Sequence, residues 1–320
     1  MTVLVTGATG FIGAWVVRNL HQKGVKFILS DIRFDTSRLK YLIDNPESLP
    51  FTTLDLRNAS DLDKVLRKHD VERIIHLAAL QIPQCRADPV NGGLVNVVGF
   101  LKIFEAAKKY GGVKNIVYAS SFAVYGPQEL YGEKPLNEDA PLKPTTHYGA
   151  FKVCNELSAY AYWVENGIPS VGLRPHTVYG FGRDVGVTSD VTTALKAAIL
   201  KKPFKIRFGG KVSMQYAADV AEAFVAAAFA NPSGAKVYNL GGPVVSVSEV
   251  VDTICKIVPD ACDLISYADS PLPVAYAVDD TAFRRDIKDM HYTSVKDGLM
   301  ETYQIYQRVK AAGELALPQQ

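Results

Sequence analysis

Tyr148 and Lys152 stand four residues apart, separated by Gly149, Ala150 and Phe151. On a helix that spacing puts a phenol and an ammonium on one face. A tyrosine is a poor acid–base catalyst at its free pKa of about 10. A neighbouring cation stabilises the phenolate and brings it toward neutral pH. Ser121, at the end of an expected strand, would hold a reacting oxygen beside the pair. The Tyr-x-x-x-Lys spacing recurs on helices by chance, so it carries weight only in company.

A second group of residues supplies that company. Gly7, Gly10 and Gly13 space a turn between an apolar run (Val3-Leu4-Val5) and an amphipathic stretch that opens with Phe11 and Ile12. Gly7 allows the tight turn, Gly10 lets a pyrophosphate approach the backbone, and Gly13 permits close helix–strand packing. The helix start offers free N–H groups and a positive dipole end to phosphates. Asp31 closes the next apolar run, about 20 residues on, where a carboxylate accepts from adenosine ribose hydroxyls. That carboxylate repels a 2′-phosphate, so the reading is NAD ahead of NADP. Arg33 keeps NADP open, because a guanidinium can meet such a phosphate.

Positioning these groups requires a particular scaffold. Strands are expected at Val3–Val5, Phe27–Leu29, Phe51–Leu54, Arg73–Leu77, Asn115–Ala119 and Ser170–Leu173. Helices are expected at Phe11–His21, Asp61–Lys68, Leu94–Lys109 and Tyr148–Glu165. Apolar strands alternating with amphipathic helices predict a Rossmann-type α/β fold, a doubly wound parallel sheet covered on both faces. Beyond Thr177 the pattern loosens. It reads as helices Val191–Leu200 and Ala218–Ala230, strands Phe204–Phe208 and Lys236–Leu240, and helices from Ser248 and Ser294. The expected division is a dinucleotide-binding domain over residues 1–175, to which 213–242 returns, and a smaller C-terminal α/β substrate domain over 176–320. The segment Gly126–His147 carries Pro127, Pro135, Pro141 and Pro144 with little periodicity, and a loop that long is usually functional.

Composition narrows the classes. The 320 residues are 48% hydrophobic and 21% charged, ample for a full core. Lys plus Arg is 35 and Asp plus Glu is 33, a formal net charge of +2 without like-charge blocks. Neither a nucleic acid nor an anionic membrane is called for as partner. Phe224–Ala230, the most apolar run, is too short to span a bilayer, and the N-terminus leaves no room for a signal peptide. Cys85, Cys154, Cys255 and Cys262 form no C-x-x-C pair and are read as reduced thiols of a cytoplasmic protein. No His, Cys or carboxylate spacing suggests a metal.

In this combination the chain resembles the extended short-chain dehydrogenase/reductases, the NAD-dependent epimerase/dehydratase family. The matching residues are Thr6–Gly13, Asp55-Leu56, His76-Leu77-Ala78-Ala79 and Asn96-Val97-Val98-Gly99, then Ser120–Gly126 and Tyr148 with Lys152. Arg174-Pro175-His176-Thr177-Val178-Tyr179-Gly180 and Asp219-Val220-Ala221 complete the set in family order. The resemblance implies that Ser121 polarises the substrate oxygen, Tyr148 exchanges the proton, and Lys152 holds the nicotinamide ribose and lowers the tyrosine pKa. It implies that Asp55 and Leu56 line the adenine pocket and that Leu77, Ala78, Ala79 and Asn96 flank the cofactor. Pro175 and His176 would lie beside the nicotinamide, His176 as a wall. Family members often pair through the helices corresponding to Leu94–Lys109 and Tyr148–Glu165, which implies a homodimer.

Departures from the family pattern bear on the reaction. The family's dehydratases usually carry Asp-Glu after the catalytic hydroxyl; here Phe122 and Ala123 stand there, and neither moves a proton. Nucleotide-sugar members commonly place an arginine where this chain has Val212, which removes a diphosphate partner, with Lys211 or Arg207 as substitutes. The expected function is therefore NAD-dependent hydride transfer at a secondary alcohol or ketone of a sugar, sugar acid or related compound. Gln81, Phe122, Thr177, Thr188, Ser189 and Gln215 are expected around the substrate, and Arg183 as a carboxylate anchor. A nucleotide-sugar 4-epimerase with retained NAD is the alternative reading, and a non-catalytic NAD(P) sensor a third.

Overall fold

The computed structural model describes residues 1–60, 62–231 and 233–318. The first half runs β1 (Thr2–Thr6), α1 (Phe11–Gln22), β2 (Phe27–Asp31), β3 (Phe51–Thr53), α2 (Leu62–Lys68), β4 (Val71–His76), α3 (Ile82–Ala87) and α4 (Pro89–Gly93). Residues Leu94–Val98 then wind as a π-helix into α5 (Gly99–Tyr110), followed by β5 (Asn115–Ala119), α6 (His147–Asn166) and β6 (Ser170–Arg174). The rest is β7 (Thr177–Tyr179), α7 (Asp190–Ile199), β8 (Phe204–Ile206), β9 (Lys211–Tyr216), α8 (Ala217–Phe229) and β10 (Ala235–Asn239). It closes with β11 (Val244–Ser246), α9 (Val247–Ile257), β12 (Ile265–Tyr267), α10 (Thr281–Asp286) and α11 (Val295–Ala311). The expected start of α2 at Asp61 lies outside the described residues.

Seven parallel strands form the main sheet in the order β10-β6-β5-β4-β1-β2-β3. Its central strands are apolar runs because helices cover both faces: every residue of β1 and β6 is buried. The fold class read from periodicity is the observed one. Helix α1 packs on α8 through small and branched side chains such as Ala14, Val17, Ala221 and Val225.

Of the remaining strands, β8 falls within the expected Phe204–Phe208, while three-residue β7, β11 and β12 are too short for periodicity to reveal. β11, β9 and β7 make a three-stranded sheet, and β12 pairs with β8. Strands β7, β9, β11 and β12 and helices α3, α4 and α10 were not legible in the sequence. One buried cluster runs from Trp15 and Val16 through Phe224 to Phe283, Leu299 and Tyr306, so the later elements seat directly on the first.

One expectation is corrected here. Cys255 and Cys262 are joined as a disulfide rather than two thiols. The 3₁₀ turn Pro259–Leu264 folds back on the end of α9 and brings their Cα atoms to 4.7 Å, a separation the bond accommodates. Cys85 is a buried free thiol and Cys154 an exposed one. The continuous helical stretch 89–110 is long and apolar enough by composition to cross a bilayer. Its Phe100, Ile103, Phe104, Ala106 and Ala107 are buried against the protein's own core.

Candidate active site

Steric necessity sets the glycine turn. Gly7 adopts φ +67°, and a Cβ there would lie 2.6 Å from the Ala78 nitrogen. A Cβ on Gly13 would lie 2.1 Å from the Gly7 carbonyl oxygen. Only bare backbone fits, which leaves α1 opening into the cleft with no side-chain cap at Gly10. This cradle, a helix N-terminus behind glycines, suits the diphosphate of a dinucleotide. Asp31 takes two hydrogen bonds on Oδ2, from the Thr9 amide (3.1 Å) and the Thr9 hydroxyl (2.8 Å). It thereby ties the end of β2 to the glycine turn and faces the cleft. Asp55 lies further out, held by Arg57 Nη2 at 2.7 Å, which keeps its carboxyl below the usual range.

The Tyr148 end is built by helix α6. Thr146 caps it, accepting from the Gly149 amide at 3.0 Å. A Cβ on Gly149 would stand 2.2 Å from the Ala123 carbonyl oxygen, so glycine lets the helix start lie against the turn that follows Ser121. That contact brings Ser121 and Tyr148 within hydrogen-bonding reach. Burial raises the Tyr148 phenol pKa, while the bond with Ser121 and the field of Arg183 oppose the rise. Lys152 sits 5.4 Å from the Tyr148 ring centre and donates to the Ala119 carbonyl at 2.6 Å. Burial pushes its pKa down to about 8. Desolvation thus dominates at the phenol, and Ser121 and Arg183, rather than the lysine expected from the spacing, oppose it.

His176 packs against Phe122, ring centres 4.1 Å apart with the rings tilted by 33°. Its Nε2 faces the Ala275 carbonyl oxygen at 2.8 Å and so carries the proton, while Nδ1 lies 3.0 Å from the Thr177 hydroxyl. Burial lowers its pKa to about 4, leaving a neutral wall.

These groups line one cleft of about 1610 Å³. That exceeds the roughly 300–1,000 Å³ of an ordinary ligand pocket and leaves room for a dinucleotide with a second molecule. Gly7, Gly10, Phe11, Ile12, Gly13, Asp31, Asp55, Leu56, Leu77, Ala78 and Ala79 line it, as do Gln81, Ser121, Phe122, Tyr148, Lys152, Pro175, His176, Thr177, Arg183 and Ser189. Three expected residues do not. Arg33 points to solvent, 79% exposed and paired with Asp35, because the chain turns outward after β2. Asn96 is buried behind the wall, bridging the amide and carbonyl of Leu80. Gln215 is buried too, spending its amide on the carbonyls of Leu240 and Gly241 and its oxygen on the His176 amide.

The segment Gly126–His147 enters the cleft only through Thr145 and Thr146. Elsewhere it is fastened down, by a bridge from Leu136 to Val278 and by Tyr131. Sequence reasoning missed Ile32, Leu80 and the strip Leu272–Val274, all on the cleft wall; their apolar character carries no signal of a ligand. Val212 is buried in the core.

Comparison with known proteins decides the family. The sequence profile of the NAD dependent epimerase/dehydratase family matches residues 3–241. The chain belongs to that family. Among its relatives, a putative UDP-glucose 4-epimerase of Methanocaldococcus jannaschii is 33% identical over 259 residues, covering 79% of this chain and 81% of that one. A UDP-glucose 4-epimerase of Mycolicibacterium smegmatis is 32% identical, covering 75% and 77%. Among solved structures, MoeE5 in complex with UDP-glucose and NAD superposes with a TM-score of 0.82 at 25% identity, covering 97% of this chain and all of that one. The epimerase/dehydratase family is NAD-dependent, and the glycine cradle and Asp31 of this member fit that cofactor.

Proposed function

We propose that this member is a dehydrogenase acting at a secondary alcohol or ketone of a carbohydrate-like substrate. The observation that carries the reading is the convergence of Ser121, Tyr148 and Lys152 on the cleft beside a glycine cradle. Gly7, Gly10, Phe11, Ile12 and Gly13 would hold the cofactor diphosphate, Asp31 the adenosine ribose, and Asp55, Leu56, Leu77, Ala78 and Ala79 the adenine side. Bound NAD supplies the hydride acceptor. Ser121 orients the substrate oxygen, Tyr148 takes its proton, and Lys152 holds the ribose and favours the phenolate. Phe122 and His176 wall the site and exclude water.

Two observations separate this from the family's other reactions. The positions after Ser121 are Phe122 and Ala123, which cannot drive water elimination. Val212, where nucleotide-sugar members carry an arginine, is buried among apolar side chains. Arg207 does not replace that arginine, since Asp190 holds it at 2.9 and 2.7 Å. The names of the relatives favour a second reading, a nucleotide-sugar 4-epimerase that keeps its NAD.

Residues 1–175 with 213–242 would form the cofactor lobe and the remainder the substrate lobe. Val90, Leu94 and Val98 are exposed on α4 and the π-helix, as are Leu157, Tyr160 and Val164 on α6. We propose that this apolar face pairs two copies of the chain.

The test is whether purified protein carries bound NAD, read by mass spectrometry after denaturation, alongside NAD⁺ reduction at 340 nm with sugars and sugar acids. Empty protein that reduces added NAD⁺ is the expected result. Stoichiometric retained NAD with conversion of UDP-galactose to UDP-glucose and no net NADH would favour the epimerase.

A further inference from the structure

The loop after β7 carries Arg183 between Gly182 and Gly186, both at positive φ. Its Nη1 donates to Gln81 Oε1 at 3.3 Å and its Nη2 to Thr188 Oγ1 at 2.9 Å. The guanidinium lies over the Phe11 ring, 5.6 Å from its centre. Its Nε is fully buried and has no hydrogen-bond partner. Burial lowers the guanidinium's pKa, and the charge is felt at Tyr148.

Among the described residues no carboxylate pairs with it, and the charge of Asp184 acts on it only through space. Asp184, next in sequence, is taken by Arg38 at 3.3 Å and by Lys196. Two other arginines of the cleft are matched, Arg57 by Asp55 and Arg207 by Asp190. A half-buried guanidinium whose Nε is sealed from solvent and which has no paired carboxylate is costly unless a ligand supplies the missing charge. Gly186 keeps the approach open: a Cβ there would stand 3.7 Å from Gln81 Oε1 and 3.8 Å from Arg183 Nη2.

We infer that Arg183, with Gln81 and Thr188, seats the carboxylate of the substrate, so the substrate class is a hydroxy acid of the sugar-acid type. The planar fork of an arginine suits a carboxylate, and its position places the acid group within the cleft that Tyr148 lines. The inference rests on the dehydrogenase reading above and narrows it.

The test is calorimetric titration of the protein–NADH complex with matched pairs: D-galacturonate against D-galactose, and D-gluconate against D-glucitol. At least one acid is expected to bind, its neutral counterpart not, and Arg183→Met to weaken that acid by about 10- to 100-fold. NADH affinity should be unchanged, and Arg183→Lys should fall between. Equal or better binding of the neutral partners overturns the inference, as does failure of both acids. So does a variant that loses NADH while acid binding is untouched, because the anion would then be the cofactor's diphosphate. Turnover is read separately at 340 nm with NAD⁺. Arg183-dependent acid binding without NADH formation would count against the dehydrogenase reading and leave the carboxylate seat standing.

Discussion

Glu156 and Arg174 form an ion pair in the protein interior, Oε2 to Nη2 at 2.6 Å, with side chains 5% and 4% exposed. A second bond joins Nε to Oε1 at 2.8 Å, and the Ser120 hydroxyl donates to the same oxygen. Arg174 also donates to the Tyr125 hydroxyl at 2.6 Å. Glu156 lies one turn beyond Lys152, and Ser120 precedes Ser121. The pair thus clamps the strand end that carries the serine to the helix that carries Tyr148 and Lys152.

Removing one partner strands a charge in that interior. Arg174→Met should cost about 3–5 kcal/mol of stability. Glu156→Gln in the same chain should recover part of the loss, because no bare carboxylate then remains. Urea denaturation of the wild type and the two variants checks this; an Arg174→Met midpoint equal to wild type would reject the clamp.

Tyr148→Phe should lower turnover by about 10²- to 10⁴-fold while leaving NAD affinity unchanged. In wild type, alcohol oxidation should rise with pH as the Tyr148 phenol, whose pKa burial raises, gives up its proton. The sign follows from the base being the deprotonated phenol. Lys152→Met removes the cation that favours the phenolate, so its midpoint should move upward. A pH–rate profile on both proteins decides the point, and coincident midpoints would exclude the lysine from the titration.

Asp31→Ala should relax the preference for NAD over NADP, measured as the ratio of the two dissociation constants. The same change frees the Thr9 amide and hydroxyl, so a lower thermal midpoint should accompany it. Thr9→Val loses only the hydroxyl bond and should lower stability without altering the cofactor ratio. An unchanged ratio in Asp31→Ala would place the carboxylate away from the ribose.

His76 is buried in β4, with Nδ1 2.7 Å from the Thr6 hydroxyl, and burial lowers its pKa to about 3. The unfolded value is about 6.5, so protonation favours the unfolded chain. Its contribution is complete above pH 6.5 or so and is lost as pH falls, at about 1.4 kcal/mol per pH unit down toward the folded value. His176 acts in the same direction. Unfolding free energy measured from pH 7 to 5 should show this slope, and His76→Gln should reduce it.

Much of the scaffold was legible before any tertiary contact was known, because it rests on local constraints. A strand buried on both faces must be an apolar run, and Val3–Val5, Arg73–Leu77 and Asn115–Ala119 are such runs. Gly7 and Gly13 leave no room for a Cβ, and four residues make one helical turn between Tyr148 and Lys152. Tertiary structure decided what depends on a distant partner. The three-residue strands β7, β11 and β12 have no period of their own and exist through their pairings. Gln215, Asn96 and Arg33 are polar side chains whose type fits a ligand site; two are spent on buried backbone groups and one on solvent. Cys255 meets Cys262 only because the chain reverses at Pro259. Arg183 was singled out in the sequence as a carboxylate anchor, but only the folded chain half-buries it over Phe11 beside Gln81 with no carboxylate paired to it among the described residues.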